Sequence, residues 1–246
     1  MILTDIFNDD LKEAFILHIP HSSIEVHEKH TYTNEETLQE QISLLTDWET
    51  DKIFKVDYLD TVVCPFSRVF CDVERFENDE LEKLGWGFYY THTDSGVEFR
   101  SVSDKDKVFT DYYIPYHKQL SRLARQKEER FGKCFLVDCH SFPDAPFIRD
   151  ADKEERPDIC VGVNSTTPKF MELFFKFFFE SKGFSVKINS PYKGALIPFG
   201  CQNTHSIMIE INRKLYMSGG VILNERVAYL NSIISSLFSE MFVGIK

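Results

Sequence analysis

The stretch Phe135-Leu136-Val137-Asp138-Cys139-His140-Ser141-Phe142 sets how the rest of the chain is read. The apolar run from Cys134 to Val137 has the length and composition of a buried strand, with Gly132 before it and Pro143 and Pro146 after it. Such a strand hands Asp138, His140 and Ser141 to its carboxyl end. In an open α/β sheet ligands bind beyond the carboxyl ends of the strands, so polar groups delivered there face a site rather than a core. Two other stretches have the same form. Phe15-Ile16-Leu17-His18-Ile19-Pro20-His21-Ser22-Ser23 runs from apolar residues into His-Ser, and Ile207-Met208-Ile209-Glu210-Ile211-Asn212-Arg213 embeds a carboxylate in an apolar run. Two histidines and one embedded glutamate point to a metal hydrolase.

The whole chain, 246 residues with 43% hydrophobic content and 23 phenylalanines, suits a single domain spanning 1–246 with ample core. Its formal net charge of -11, with no basic cluster, argues against nucleic acid and against anionic membrane, because binding phosphates requires concentrated Lys and Arg. Six cysteines are scattered without a Cys-x-x-Cys spacing, several of them in apolar runs, and read as buried reduced thiols. The first eleven residues carry Asp5, Asp9 and Asp10 where a signal peptide would carry positive charge, and no run reaches transmembrane length. A cytoplasmic protein is expected.

Along the chain, Asn34 to Val56 has helical apolar spacing, with Asp47 and Asp51 four apart on what would be a solvated stripe. Thr61 to Cys64 and Arg68 to Cys71 read as strands, the second running into Asp72-Val73-Glu74-Arg75, where Asp72 and Arg75 could form a salt bridge or Arg75 could serve carboxylate recognition. Asn78 to Lys107 is a long charged and aromatic excursion of the kind used as a lid or binding loop. Pro115 opens a helix in which His117 is expected to be structural. Asp150 to Arg156 is a charged loop, and Asp158 to Val163 is a strand. Phe170 to Phe179 forms a helix whose only wet face is the stripe Lys169, Glu172, Lys176 and Glu180. Gly183 caps it, Phe184 to Ile188 returns as a strand, and Val221 to Phe242 closes the chain as an amphipathic helix. Strands alternating with helices imply an α/β fold: a central sheet, mostly parallel or mixed, flanked by helices.

A catalytic zinc site takes three protein ligands, imidazole or carboxylate, and keeps a position open for water. His21 and His140, each just past an apolar strand, can converge; spacing nominates Glu25, Asp47, Asp51 and Asp72 for the third place. Glu210 is costly amid Ile207, Met208, Ile209 and Ile211 unless it meets a cation, a water or hydrogen bonds, and burial would raise its pKa and suit it to base and acid work. Ser22 and Ser141 each neighbour a histidine, but adjacent strand residues point to opposite faces, which disfavours a Ser–His dyad.

Taken together, Pro20-His21-Ser22-Ser23, Thr46-Asp47-Trp48, Ser67-Arg68-Val69-Phe70-Cys71-Asp72-Val73-Glu74-Arg75, Pro115-Tyr116-His117, Asp138-Cys139-His140-Ser141, Arg156-Pro157-Asp158, Lys193-Gly194 and Ile209-Glu210-Ile211-Asn212-Arg213-Lys214-Leu215-Tyr216 resemble the N-formylglutamate amidohydrolase family. The resemblance is ordered and runs from about residue 15 to 217. It implies a zinc carboxypeptidase-like (phosphorylase/hydrolase-like) fold and a zinc-dependent amidohydrolase cleaving an N-acyl amino acid such as N-formylglutamate, with a place in histidine degradation. On this reading His21, Asp47 and His140 hold one Zn²⁺, Glu210 moves the proton between water and leaving amine, and Arg75, with Lys193 second, orients the substrate carboxylate. The chain departs from the family in one respect: Glu74 stands where the family has Asn, and a carboxylate there would repel the substrate carboxylate or pair with Arg75. The alternatives are a family member acting on another N-acyl amino acid or a peptide, and a zinc-free metabolite-binding protein.

Overall fold

The computed structural model describes residues 11–76, 79–148 and 155–243. The acidic segment 1–10 and most of the charged loop from 150 to 156 lie outside them. In chain order the elements are β1 (Phe15–Ile19), α1 (Glu35–Leu45), α2 (Thr50–Ile53), β2 (Asp60–Val63), α3 (Lys105–Val108), α4 (Ile114–Phe131), β3 (Cys134–Phe142), β4 (Ile159–Val163), α5 (Lys169–Ser181), β5 (Val186–Ile188), β6 (Thr204–Asn212), β7 (Met217–Ser218), β8 (Val221–Ile222) and α6 (Asn224–Val243). Six strands form one sheet in the order β2-β1-β3-β6-β4-β5, and β7 and β8 form a separate ribbon. Every pairing in the large sheet is parallel except β4 with β6. This is the α/β architecture expected from the alternation of strands and helices.

Alternation along the strands separates two cores. Phe15, Leu17 and Ile19 of β1, Phe135, Val137 and Cys139 of β3, and Ile207, Ile209 and Ile211 of β6 point to one face, where α2, α5 and α6 cover them. Phe15 stacks on Phe135 with ring centroids 4.8 Å apart, and Phe238 and Phe242 of α6 close over Phe15 edge-on. Burying each such ring contributes about 1.5–3 kcal/mol. The opposite face begins apolar, with Ile16, Cys134 and Leu136 under α1 and α4. Toward the carboxyl ends it turns titratable, as His18, Asp138, His140 and Glu210 follow on the same side.

Four local readings change. The segment from 34 to 56 is two helices, because Thr46 leaves α1 in extended conformation and Glu49 takes a left-handed φ of 61° before α2 restarts. That conformation is rare for a side chain with a Cβ, and it breaks the helical register that would have put Asp47 and Asp51 on one stripe. Arg68 to Cys71 is a succession of turns rather than a strand, closed by Phe70 and Cys71 N–H groups donating to the Ser67 carbonyl. Pro115 does not open a free helix. The chain is already helical through α3 and a π-helical segment, Phe109–Tyr113, and proline's missing N–H falls just after that widened turn. On α5, Leu173 and Phe177 are exposed beside the expected polar stripe, so the wet face is wider than its polar residues.

Gly183 has φ 89° just beyond α5, as a cap requires. The six cysteines are free, five of them buried. Among the described residues no helix is long and apolar enough to cross a membrane.

Candidate active site

Parallel pairing of β3 with β6 places His140 directly opposite Glu210, and β1 with β3 places His18 opposite Asp138. His21 follows β1 by two residues, and the break between α1 and α2 drops Asp47 against it, with the Asp47 N–H donating to the His21 carbonyl at 3.0 Å. The three side chains converge. His21 Nδ1 lies 3.2 Å from His140 Nδ1, Asp47 Oδ2 lies 3.1 Å from His140 Nδ1, and it lies 3.6 Å from His21 Nδ1. All three residues are buried.

The far side of each imidazole is occupied by a carboxylate. His21 Nε2 is 2.9 Å from Asp72 Oδ1, and His140 Nε2 is 3.1 Å from Asp138 Oδ1. An Nε2–H donated to each carboxylate leaves both Nδ1 lone pairs facing one another and the Asp47 oxygen. Three lone-pair donors pointed at one place repel unless a cation lies between them. A tetrahedral ion with bonds of about 2.0–2.2 Å separates neighbouring donors by about 3.3–3.5 Å, close to the edges found here. Imidazoles oriented by carboxylates through the second nitrogen are the usual support of a metal site. Asp47, His21 and His140 therefore fit a metal ion.

The electrostatics agree. Burial opposes ionisation of Asp47, yet its close contacts with the His140 and His21 rings and the charge of Arg213 hold its pKa well below the carboxylate range. Arg213 Nη2 donates to Asp47 Oδ1 at 2.9 Å. Burial likewise opposes charge on His140, but Asp138 and Asp47 outweigh it and raise its pKa well above that of ordinary imidazole. A positive charge is favoured at this position. Asp72 is kept ionised against its burial by Arg68, whose Nη2 and Nε donate to Oδ2 at 2.9 and 3.2 Å, with His21 adding to the effect and Tyr90 donating at 3.0 Å.

Glu210 differs from these carboxylates. Its Oε2 is buried with no hydrogen-bond partner among the described residues. Burial first, then the charge of Asp47, pushes its carboxyl up to about 7 against the pull of His140, Arg68 and Arg213. A carboxyl poised near neutrality, with a free oxygen beside the His140–Asp47 cluster, is equipped to take and return a proton.

These groups line a cavity of about 590 Å³ that also contains Arg75, Glu74, Lys193, Tyr192 and Leu196. Arg75 has no ion pair among the described residues, and its buried Nε has no hydrogen-bond partner. The Asp72 ion pair considered for Arg75 is made by Arg68. Glu74 makes no ion pair with Arg75 either; its Oε1 lies 3.3 Å from His18 Nδ1. Lys193 is exposed at the rim. Its loop is held close to the sheet because Gly162 of β4 has no side chain: a Cβ there would come within 2.2 Å of the Gly194 carbonyl oxygen.

The matching family model, N-formylglutamate amidohydrolase, covers residues 13–217, most of the chain. The chain belongs to the N-formylglutamate amidohydrolase family. No functionally curated protein matches it significantly. Among solved structures, an N-formylglutamate amidohydrolase from Ralstonia eutropha JMP134 superposes with a TM-score of 0.83 at 21% identity, covering 95% of this chain and 94% of that one. A gene product of Agrobacterium tumefaciens superposes with a TM-score of 0.65 at 16% identity, covering 98% and 94%. At such identities the likeness is one of fold.

Of the carboxylates nominated by spacing, only Asp47 joins the histidines. Asp51 and Glu25 are exposed, and Asp72 stands behind His21 as its hydrogen-bond partner. Among the described residues no hydrogen bond joins Ser22 or Ser141 to a histidine; Ser141 Oγ accepts from Arg213 Nε at 3.3 Å. His117 is buried between Tyr113 and Phe199 and does not line the cavity, and burial lowers its pKa to about 4. Sequence reasoning assigned no role to His18, Tyr116 or Arg213. His18 Nδ1 is 2.9 Å from Asp138 Oδ1, and its Nε2 is 2.7 Å from Tyr116 Oη.

Proposed function

We propose that this chain is a zinc-dependent amidohydrolase that removes the acyl group, a formyl group in the first instance, from an N-acyl amino acid such as N-formylglutamate. The observation that carries the reading is the convergence of His21 Nδ1, His140 Nδ1 and Asp47 Oδ2, with Asp72 and Asp138 fixing both rings from behind. Bound by these three donors, Zn²⁺ would polarise the amide carbonyl and bring the pKa of water down to about 7.

The residues of the chain do the rest. Glu210, opposite His140 on the neighbouring strand, takes the proton of the attacking water and delivers it to the amine as the C–N bond breaks; it ends the cycle as it began. Arg75, a cation without an ion pair among the described residues, accepts the amino acid's carboxylate in the same cavity. Lys193 at the rim adds a weaker, solvated attraction. The six free cysteines accord with reaction in a reducing compartment, the cytoplasm.

The test is metal analysis of protein purified without chelator, followed by assay against N-formylglutamate and other N-acyl amino acids. About one equivalent of Zn²⁺ per chain is expected, lost in His140→Ala with the fold retained. Unchanged metal content in both His21→Ala and His140→Ala would remove the metal site. Zinc binding without hydrolysis of any N-acyl amino acid would favour a binding protein over an enzyme.

A further inference from the structure

Glu74 is a carboxyl group of the cavity that none of these roles uses. Its backbone N–H donates to Asp72 Oδ1 at 2.9 Å, so the turn that sets Asp72 behind His21 also sets where the Glu74 side chain starts. From there it turns inward. Oε1 is buried, lies 3.3 Å from His18 Nδ1, and has no aligned hydrogen bond among the described residues. The same His18 nitrogen is 2.9 Å from Asp138 Oδ1, which in turn is 3.1 Å from His140 Nε2. Tyr116 Oη closes the far end of the chain on His18 Nε2 at 2.7 Å, and the Leu196 N–H holds Asp138 Oδ2 at 2.9 Å. His18 is fully buried and does not line the cavity. A force applied by Glu74 on His18 is therefore passed through Asp138 to the ring of His140.

We propose that Glu74 is a positioning residue: it braces His18 against Asp138, and through that pair the ring of His140, while Arg75 takes the substrate carboxylate. The inference rests on the reading of His140 as a metal ligand. Burial and the neighbouring charge of Asp138 drive the Glu74 carboxyl well above the usual range, against the opposing charges of His140 and Arg75.

The experiment compares Glu74→Ala and Glu74→Gln with wild type by three measurements: Zn²⁺ affinity by competition with a chromophoric chelator, kcat and KM for N-formylglutamate, and ¹⁵N NMR of the histidine rings in protein stripped of metal. Loss of the brace in Glu74→Ala should weaken Zn²⁺ binding and lower kcat by about tenfold each, leave KM within about twofold, and move the His18 and His140 resonances but not those of distant His205. Glutamine, isosteric and neutral, should recover most of each loss. A change confined to KM, with zinc affinity and ring resonances as in wild type, would make Glu74 a substrate contact and overturn the proposal. So would an alanine variant unchanged in all three measurements. If wild type takes up no Zn²⁺ or leaves N-formylglutamate intact, the proposed function falls, and the ring resonances still decide for or against Glu74.

Discussion

The two faces of the sheet are made from alternate residues of the same strands, and they diverge as the strands approach their carboxyl ends. Under α5 and α6 the odd-numbered residues of β3 from Phe135 to Cys139 and of β6 from Ile207 to Ile211 are apolar and buried. Under α1 and α4 the even-numbered residues pass from Cys134 and Leu136 to Asp138 and His140 on β3, and from Ser206 and Met208 to Glu210 on β6. The first face contributes stability; the second gathers imidazoles and carboxylates that burial opposes. Neighbouring positions of one strand thus carry opposite duties, and the comparison can be broken one residue at a time.

Ile209 and Glu210 give the sharpest test. Glu210→Gln keeps the shape and removes the proposed base, so turnover should fall by roughly 10² to 10⁴ while the fold and metal content persist. Ile209→Ala, one residue away on the other face, should lose about 2–5 kcal/mol of stability with kcat per folded molecule unchanged. The pH dependence carries the same contrast. As the proposed base Glu210 acts ionised, and its carboxyl is held up to about 7 before the charge of a bound cation draws it down, so activity should rise with pH on the acid side of neutrality. For stability the sign is reversed. Between the ordinary carboxylate value of 4.5 and about 7 the folded state keeps a proton that the unfolded chain has lost. Stability therefore falls across that interval and stays lowered above it, by the linkage of proton uptake to folding. Denaturant unfolding of metal-stripped protein should show this slope in wild type and a flatter one in Glu210→Gln. Full activity in the glutamine variant would return Glu210 to the core.

The next effect concerns the carboxylates behind the rings. Asp72→Asn and Asp138→Asn should each weaken zinc by roughly 10- to 100-fold, because the amide leaves an imidazole less basic and less firmly turned. Asp72 is the more insulated of the two, held by Arg68 and Tyr90. Zinc affinity unchanged in both variants would mean that the rings are oriented by packing alone.

How much of this the sequence made legible follows the same division. Strand periodicity exposed β1, β3 and β6 and carried His21, His140 and Glu210 to the sheet's carboxyl edge, since period and burial are local properties. Asp138 was within reach by the same rule: it stands two residues before His140 on a strand and so shares its face. Asp47 was masked by a helical pattern that runs through it, and the left-handed Glu49 that interrupts the helix carries no glycine to announce it. The choice of Arg68 over Arg75 as partner to Asp72 depends on turns where the apolar spacing suggested a strand. Phe177 is exposed on α5 although hydropathy would bury it, because nothing among the described residues packs on that side. His18 looked like part of an apolar strand, and its role depends on Asp138, 120 residues away in the chain.

The smallest effect separates the two cations proposed to meet the substrate. Arg75 lines the cavity with its Nε buried and without a partner, whereas Lys193 is exposed on a loop held near the sheet by the close approach of Gly162 to Gly194. A charge-assisted hydrogen bond made away from solvent is worth about 1.5–3 kcal/mol, so Arg75→Ala should raise KM for N-formylglutamate by about 10- to 100-fold and spare kcat. Solvent-exposed ion pairs contribute about 0–1 kcal/mol, so Lys193→Ala should change KM by less than about fivefold, and that change should vanish at high salt. The salt dependence distinguishes the two: the Arg75 contribution should persist where the Lys193 contribution is screened. If Lys193→Ala proved the costlier substitution at every ionic strength, the substrate carboxylate would belong at the rim, and Arg75 would need another partner.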